Sequence, residues 1–185
     1  MTETTSTAKC VKYPTAAPND KNWNVLPRSE WQSQMKEQLR TLLYNDGWMM
    51  RRATTTFFRT YMAQVYLDNW TIHFQIAIGG NEFKDKRYDD LDGKAIITFD
   101  VEGGRPNMDR TDLNKLRNEI HEALVTNEVY EKLGVENHPI GEHLVWEAVD
   151  AREGAAAAKR LVEYMEVIYD VASPVLDRLQ NGDAN

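Results

Sequence analysis

Trp70-Thr71-Ile72-His73-Phe74-Gln75-Ile76-Ala77-Ile78 decides the fold class. β-Branched and aromatic residues fill it, Asp68-Asn69 places a turn signal in front of it and Gly79-Gly80 ends it, so it reads as the clearest strand of the chain. Immediately upstream, Thr54 to Leu67 is ambiguous. Phe57, Phe58, Tyr61, Met62 and Val65 fit a helical stripe, while the density of Thr, Phe, Tyr and Val fits a strand. The turn signal at Asp68-Asn69 favours a strand over the second half of that segment. Downstream, Ala95-Ile96-Ile97-Thr98-Phe99-Asp100-Val101 reads as another strand, and His143 to Val149 as a further one.

Helical periodicity surrounds these strands. Ser29 and Gln32 form a capping-box pattern, after which Trp31, Met35, Leu39, Leu42 and Leu43 recur at helical spacing until Asn45-Asp46-Gly47. Leu113, Leu116, Ile120, Ala123 and Leu124 predict an amphipathic helix from about Thr111, extended by, or followed by a short helix at, Val129, Tyr130 and Leu133, with Gly134 as the stop. Leu116 and Ile120 are expected to face the core together with Trp146. A last helix starts near Gly154 and buries Ala157, Leu161, Tyr164, Met165, Ile168, Val171 and Ala172. Pro174 is expected to kink or restart it, with Ser173 as a cap. The order of helix, strands, helix, strand, helix predicts an α+β fold, an antiparallel sheet of about four strands with helices against one side. Residues 1 to 27, rich in Thr, Ala, Asn and Pro, read as a flexible tail, 28 to 180 as one domain and 181 to 185 as a flexible end.

With 29 acidic against 22 basic residues the chain carries a formal charge of -7, which disfavours non-specific binding to nucleic acid or to an anionic membrane. Arg51, Arg52 and Arg59 are the nearest approach to a basic patch. Cys10 is the single cysteine, so the fold does not depend on disulfides. No apolar run approaches the roughly 20 residues of a membrane span, and Met1 to Lys12 lacks a secretory core, so cytoplasmic residence is expected.

Two patterns carry potential metal chemistry. Glu82-Phe83-Lys84, with Asp68 upstream, has the Glu-x-Lys form that Mg²⁺- or Mn²⁺-dependent nucleases use, but it follows the glycine break and reads as a charged loop. Asp100 and Glu102 at i, i+2 on a strand point to one face and form a candidate cation pair, with a solvated strand end beside Gly103-Gly104 as the simpler account. His121, His138 and His143 have no zinc-site spacing, and His73 reads as a structural, hydrogen-bonded histidine. The tryptophans at 23, 31, 48, 70 and 146 read as core rather than a base-stacking platform. Tyr88-Asp89-Asp90-Leu91-Asp92 offers Asp89, Asp90 and Asp92 to a basic protein partner, or is a solvated loop.

The strand Trp70 to Ile78, the helical stretch Leu113 to Leu133 ending in Gly134, Leu144-Val145-Trp146-Glu147 and the closing helix with Val171-Ala172-Ser173-Pro174 together resemble an uncharacterised bacterial domain family. Its members are often attached to the C-terminal side of predicted restriction-type nuclease regions. The resemblance covers residues 28 to 180. It implies a bacterial or phage defence setting and transfers no catalytic residue. The sequence therefore favours a non-enzymatic interaction module without a cofactor. The alternative is a small Mg²⁺- or Mn²⁺-dependent nuclease, or a nuclease-associated nucleic-acid binder, using Glu82, Lys84, Asp100 and Glu102.

Overall fold

The computed structural model describes residues 28–45, 47–48, 55–58, 62–67, 72–78, 94–102, 108–149 and 154–182. Among the described residues the named elements are α1 (Arg28–Asn45), β1 (Thr55–Phe58), β2 (Met62–Tyr66), β3 (Ile72–Ile78), β4 (Ala95–Val101), α2 (Arg110–Thr126), α3 (Val129–Leu133), β5 (His143–Val149) and α4 (Gly154–Gly182). All strand pairs are antiparallel in the spatial order β1-β2-β3-β4-β5. The α+β class holds. Among the described residues the sheet has five strands, because Thr54 to Leu67 contains two of them, paired with Phe58 opposite Ala63. At the next turn, Leu67 N–H donates to Ile72 O at 2.9 Å, closing the connection that Asp68-Asn69 signalled.

Local chemistry sets the helix boundaries. Asp109 caps α2, its Oδ1 accepting from the amides of Thr111 at 2.7 Å and Asp112 at 2.9 Å, which satisfies two of the donors that a helix start leaves open. Glu128, at φ 56°, turns the chain from α2 into α3, and Gly134, at φ 67°, ends α3 with its amide on Glu131 O. The helical stretch is therefore two helices. α4, by contrast, runs through Pro174 without restarting, so Ser173 is a buried residue of the helix interior rather than a cap.

The two faces of the sheet differ in chemistry. Ile72, Phe74 and Ile76 of β3 and Ala95, Ile97, Phe99 and Val101 of β4 point to the helix side, where the Phe74 and Phe99 rings lie 4.9 Å apart. Leu161, Tyr164, Met165 and Ile168 of α4 join them in one continuous core with Trp31, Met35, Leu39 and Leu43 of α1 and Leu116, Ile120 and Leu124 of α2. Trp146 does not. Val145 sits opposite Phe99 and Glu147 opposite Ile97, so the strand's period of two turns Trp146 to the other face, beside Ile96, Ile140 and Ala148. Its indole N–H donates to His138 O at 2.9 Å.

α1 and α4 meet at Gly154. A β-carbon there would lie 2.2 Å from Trp31 O and 2.9 Å from Met35 N, both backbone atoms that cannot rotate away. Ala is the better helix former by up to about 1 kcal/mol, but overpacking of this kind costs about 1–3 kcal/mol, and the site is at the helix start, where propensity counts least. Gly154→Ala is therefore expected to lower the urea midpoint with an unchanged slope. A midpoint equal to or above that of the wild type would contradict this close approach.

Candidate functional site

The face of the sheet turned away from α1, α2 and α4 carries a buried polar cluster. His73 and Gln75 on β3, Thr98 and Asp100 on β4 and Gln64 on β2 share one strand phase, and all are buried. Burial of so many polar groups requires partners, and they supply one another. Asp100 Oδ1 accepts from His143 Nδ1–H at 2.5 Å, and its Oδ2 accepts from Thr98 Oγ1–H at 2.8 Å. His73 Nε2 lies 3.4 Å from Asp100 Oδ2 and 3.1 Å from Gln64 Nε2. A protonated Nε2 donates to the aspartate, and an unprotonated one accepts from the amide. Gln64 Nε2 also donates to Gln75 Oε1 at 2.8 Å, while Tyr66 O–H donates to Gln64 Oε1 at 3.2 Å. Nδ1 of His73 is buried without a hydrogen bond among the described residues.

A β-bulge builds the Asp100 to His143 contact. Phe99 pairs with Val145 but Asp100 pairs with His143, so Leu144 is an extra residue on β5. The insertion lets Leu144 and Val145 both join the helix-side core and returns His143 to the polar face, opposite the carboxylate. Burial of the His143 ring opposes its charge. The hydrogen bond and negative charge of Asp100, with Glu142 and Glu102 farther off, outweigh that penalty and raise its pKa above 6.5.

Because the folded value is the higher one, this pair contributes its full stability below the unfolded His pKa and loses it as pH rises through the folded value. Thermal midpoints measured at constant ionic strength from about pH 5 to about pH 9 should fall with rising pH. His143→Gln is expected to flatten that fall. Equal pH slopes in wild type and variant would show that folding does not raise the His143 pKa.

Asp100 and Glu102, the candidate cation pair, sit in different surroundings. Asp100 is buried with both oxygens occupied by His143 and Thr98, whereas Glu102 is exposed one residue past β4. Of the two carboxylates, Glu102 is the solvated one. Among the described residues no group of three or more His, Cys, Asp or Glu is placed to hold a metal ion. Glu82, Lys84, Asp89, Asp90 and Asp92 lie outside the described residues, as do Arg51, Arg52 and Arg59.

The sequence did not single out a second feature, an open groove of about 450 Å³ beside the same corner of the sheet. One wall is a face of α2 carrying Asn114, Arg117, Asn118 and His121. The other is Pro139, Gly141 and Leu144. Arg117 is fixed in place because its Nε donates to Val101 O at 2.8 Å and its Nη2 reaches Glu102 O at 3.4 Å, tying α2 to the end of β4. Buried Tyr130 holds His121: its hydroxyl donates to Leu144 O at 2.9 Å, so its oxygen accepts from His121 Nδ1–H, also at 2.9 Å. Desolvation pushes the Tyr130 pKa up to about 12. The spacing of 114, 117, 118 and 121 is visible in the sequence as the polar complement of Leu113, Leu116, Ile120 and Leu124, but a polar helix face is ordinarily only a solvated one.

No helix among the described residues is long and apolar enough to cross a membrane. No family model, curated protein or solved structure matches the chain.

Proposed function

We propose that the chain is a non-enzymatic interaction module of a bacterial or phage system linked to defence, and that a protein partner docks in the groove along α2. The groove supports this reading, since it is open, polar and held rigid by the Arg117 and His121–Tyr130 anchors. The commitment of both Asp100 oxygens to neighbouring side chains weighs against that residue serving a metal-dependent nuclease. A net charge of -7 favours a protein over nucleic acid as the partner. The defence setting rests on the family resemblance over residues 28 to 180.

Affinity capture with the tagged full chain, from cells that carry its gene, tests the proposal. The wild type is expected to retain a protein partner, and Asn118→Lys, an exposed change inside the groove, is expected to lose it at an unchanged thermal midpoint. Neither protein is expected to cleave single- or double-stranded DNA or RNA with Mg²⁺ or Mn²⁺. Cleavage that copurifies with the wild type and disappears in Glu82→Gln, Asp100→Asn or Glu102→Gln would overturn the proposal in favour of a nuclease.

A further inference from the structure

The hydrogen-bonding groups of the groove have a direction and a repeat. Tyr130 spends its only hydroxyl proton on Leu144 O, so the proton between Tyr130 and His121 belongs to His121 Nδ1. In the neutral imidazole the lone pair then sits on Nε2, at the half-buried ring that lines the groove. Asn114 and Asn118 stand beside it, exposed, with neither side-chain amide bonded to another described residue. Each amide carries a donor and an acceptor, the same pair that a peptide group presents.

The spacing selects among ligands that offer such pairs. Residues four apart on a helix rise about 6 Å, and in an extended chain the peptide groups that face one side recur every second residue, at about 6.6 Å. Asn114 and Asn118 therefore match successive outward-facing peptide groups of one extended strand. His121, about 4.5 Å farther along the helix axis and so short of a full 6.6 Å repeat, adds one acceptor to the same wall. A phosphate backbone offers acceptors only and would meet the Nε2 lone pair with repulsion. Arg117, the cation of this wall, already spends two donor groups on Val101 O and Glu102 O.

We infer that the groove recognises the main chain of an extended polypeptide segment, with Asn114 and Asn118 pairing alternate peptide groups and His121 Nε2 accepting a hydrogen bond. This inference rests on the proposal that the groove is the docking site, and adds the chemistry of its occupant.

The test uses the full chain and a degenerate library of unstructured decapeptides, with single-stranded oligonucleotides in parallel. Peptides are expected to be enriched by the wild type. The best of them should bind Asn114→Ala, Asn118→Ala and His121→Phe each about fivefold to tenfold more weakly, the range for loss of one hydrogen bond. N-methylation of alternate amides is expected to abolish binding in one phase and spare it in the other. Failure to enrich any peptide would overturn the inference. So would equal sensitivity to methylation in both phases, or oligonucleotide binding lost in the same three variants. If the native partner is still captured through Asn118 while the peptide results fail, the docking site stands and the extended-backbone chemistry falls.

Discussion

Ile120→Asp is expected to abolish or severely weaken cooperative folding. Ile120 is fully buried midway along α2, between Leu116 and Leu124 in the core shared with α1, α4 and the sheet. Two losses add at this position. Removal of the aliphatic side chain alone costs about 2–5 kcal/mol. A carboxylate with no cationic partner then costs several more kcal/mol, or is held neutral at a comparable cost. The sum reaches the whole stability of a typical domain, about 5–15 kcal/mol, so the expected result is no cooperative thermal transition, or a urea midpoint far below that of the wild type. Glu122→Gln, exposed on the same helix, is the control and should change stability by less than about 0.5 kcal/mol. A variant that melts like the wild type would mean that this face of α2 is not in the core.

The same helix shows where the sequence is informative and where it stops. On α2 the apolar residues have one face to fill, so the spacing of Leu116, Ile120 and Leu124 states their burial directly. On β4 every residue from Ala95 to Val101 is buried, and with both faces covered the run reads as simply hydrophobic. A fainter signal survives in the phase of its polar members. His73 and Gln75 alternate with Ile72, Phe74 and Ile76, and Thr98 and Asp100 alternate with Ile97, Phe99 and Val101, which marks one polar face on two adjacent strands. A carboxylate inside such a run demands a partner. The partner itself was not legible, because His143 is 43 residues away and reaches Asp100 only through the bulge at Leu144. The expectation that Trp146 faces the core with Leu116 and Ile120 fails because strand alternation gives only relative sides, and an amphipathic indole is compatible with either. The groove depends on the Tyr130 hydroxyl meeting both His121 and Leu144 O, contacts that span two helices and a strand.

Arg160→Ala should be the second most damaging change, and its cause lies on the opposite side of the sheet from the polar cluster. Arg160 of α4 donates through Nε to Glu147 Oε1 and through Nη2 to Glu147 Oε2, both at 2.9 Å, a bidentate pair. Its Nη1 donates to Glu163 Oε2 at 3.0 Å and Nη2 also donates to Leu133 O, which closes the end of α3. Tyr164 O–H donates to Glu147 Oε2 at 2.9 Å, and the guanidinium carbon stands 5.2 Å from the Tyr164 ring centroid. One side chain thus joins α3, β5 and α4. The Glu147 hydrogen bonds hold the Arg160 pKa above its ordinary value against the opposing effect of burial, and burial, followed by the Glu147 charge, raises that of Tyr164. Glu147 is 14% exposed, so truncation of Arg160 leaves a carboxylate largely out of water with only a tyrosine hydroxyl beside it. Loss of one partner from a buried pair costs about 3–5 kcal/mol. Arg160→Lys keeps the charge without the fork and should lose less. Glu147→Leu combined with Arg160→Leu should be less destabilised than the sum of the two single changes, since no unpaired charge remains. The comparison is made by urea denaturation of the wild type, the two singles and the double. Strictly additive losses would mean that Glu147 and Arg160 act independently.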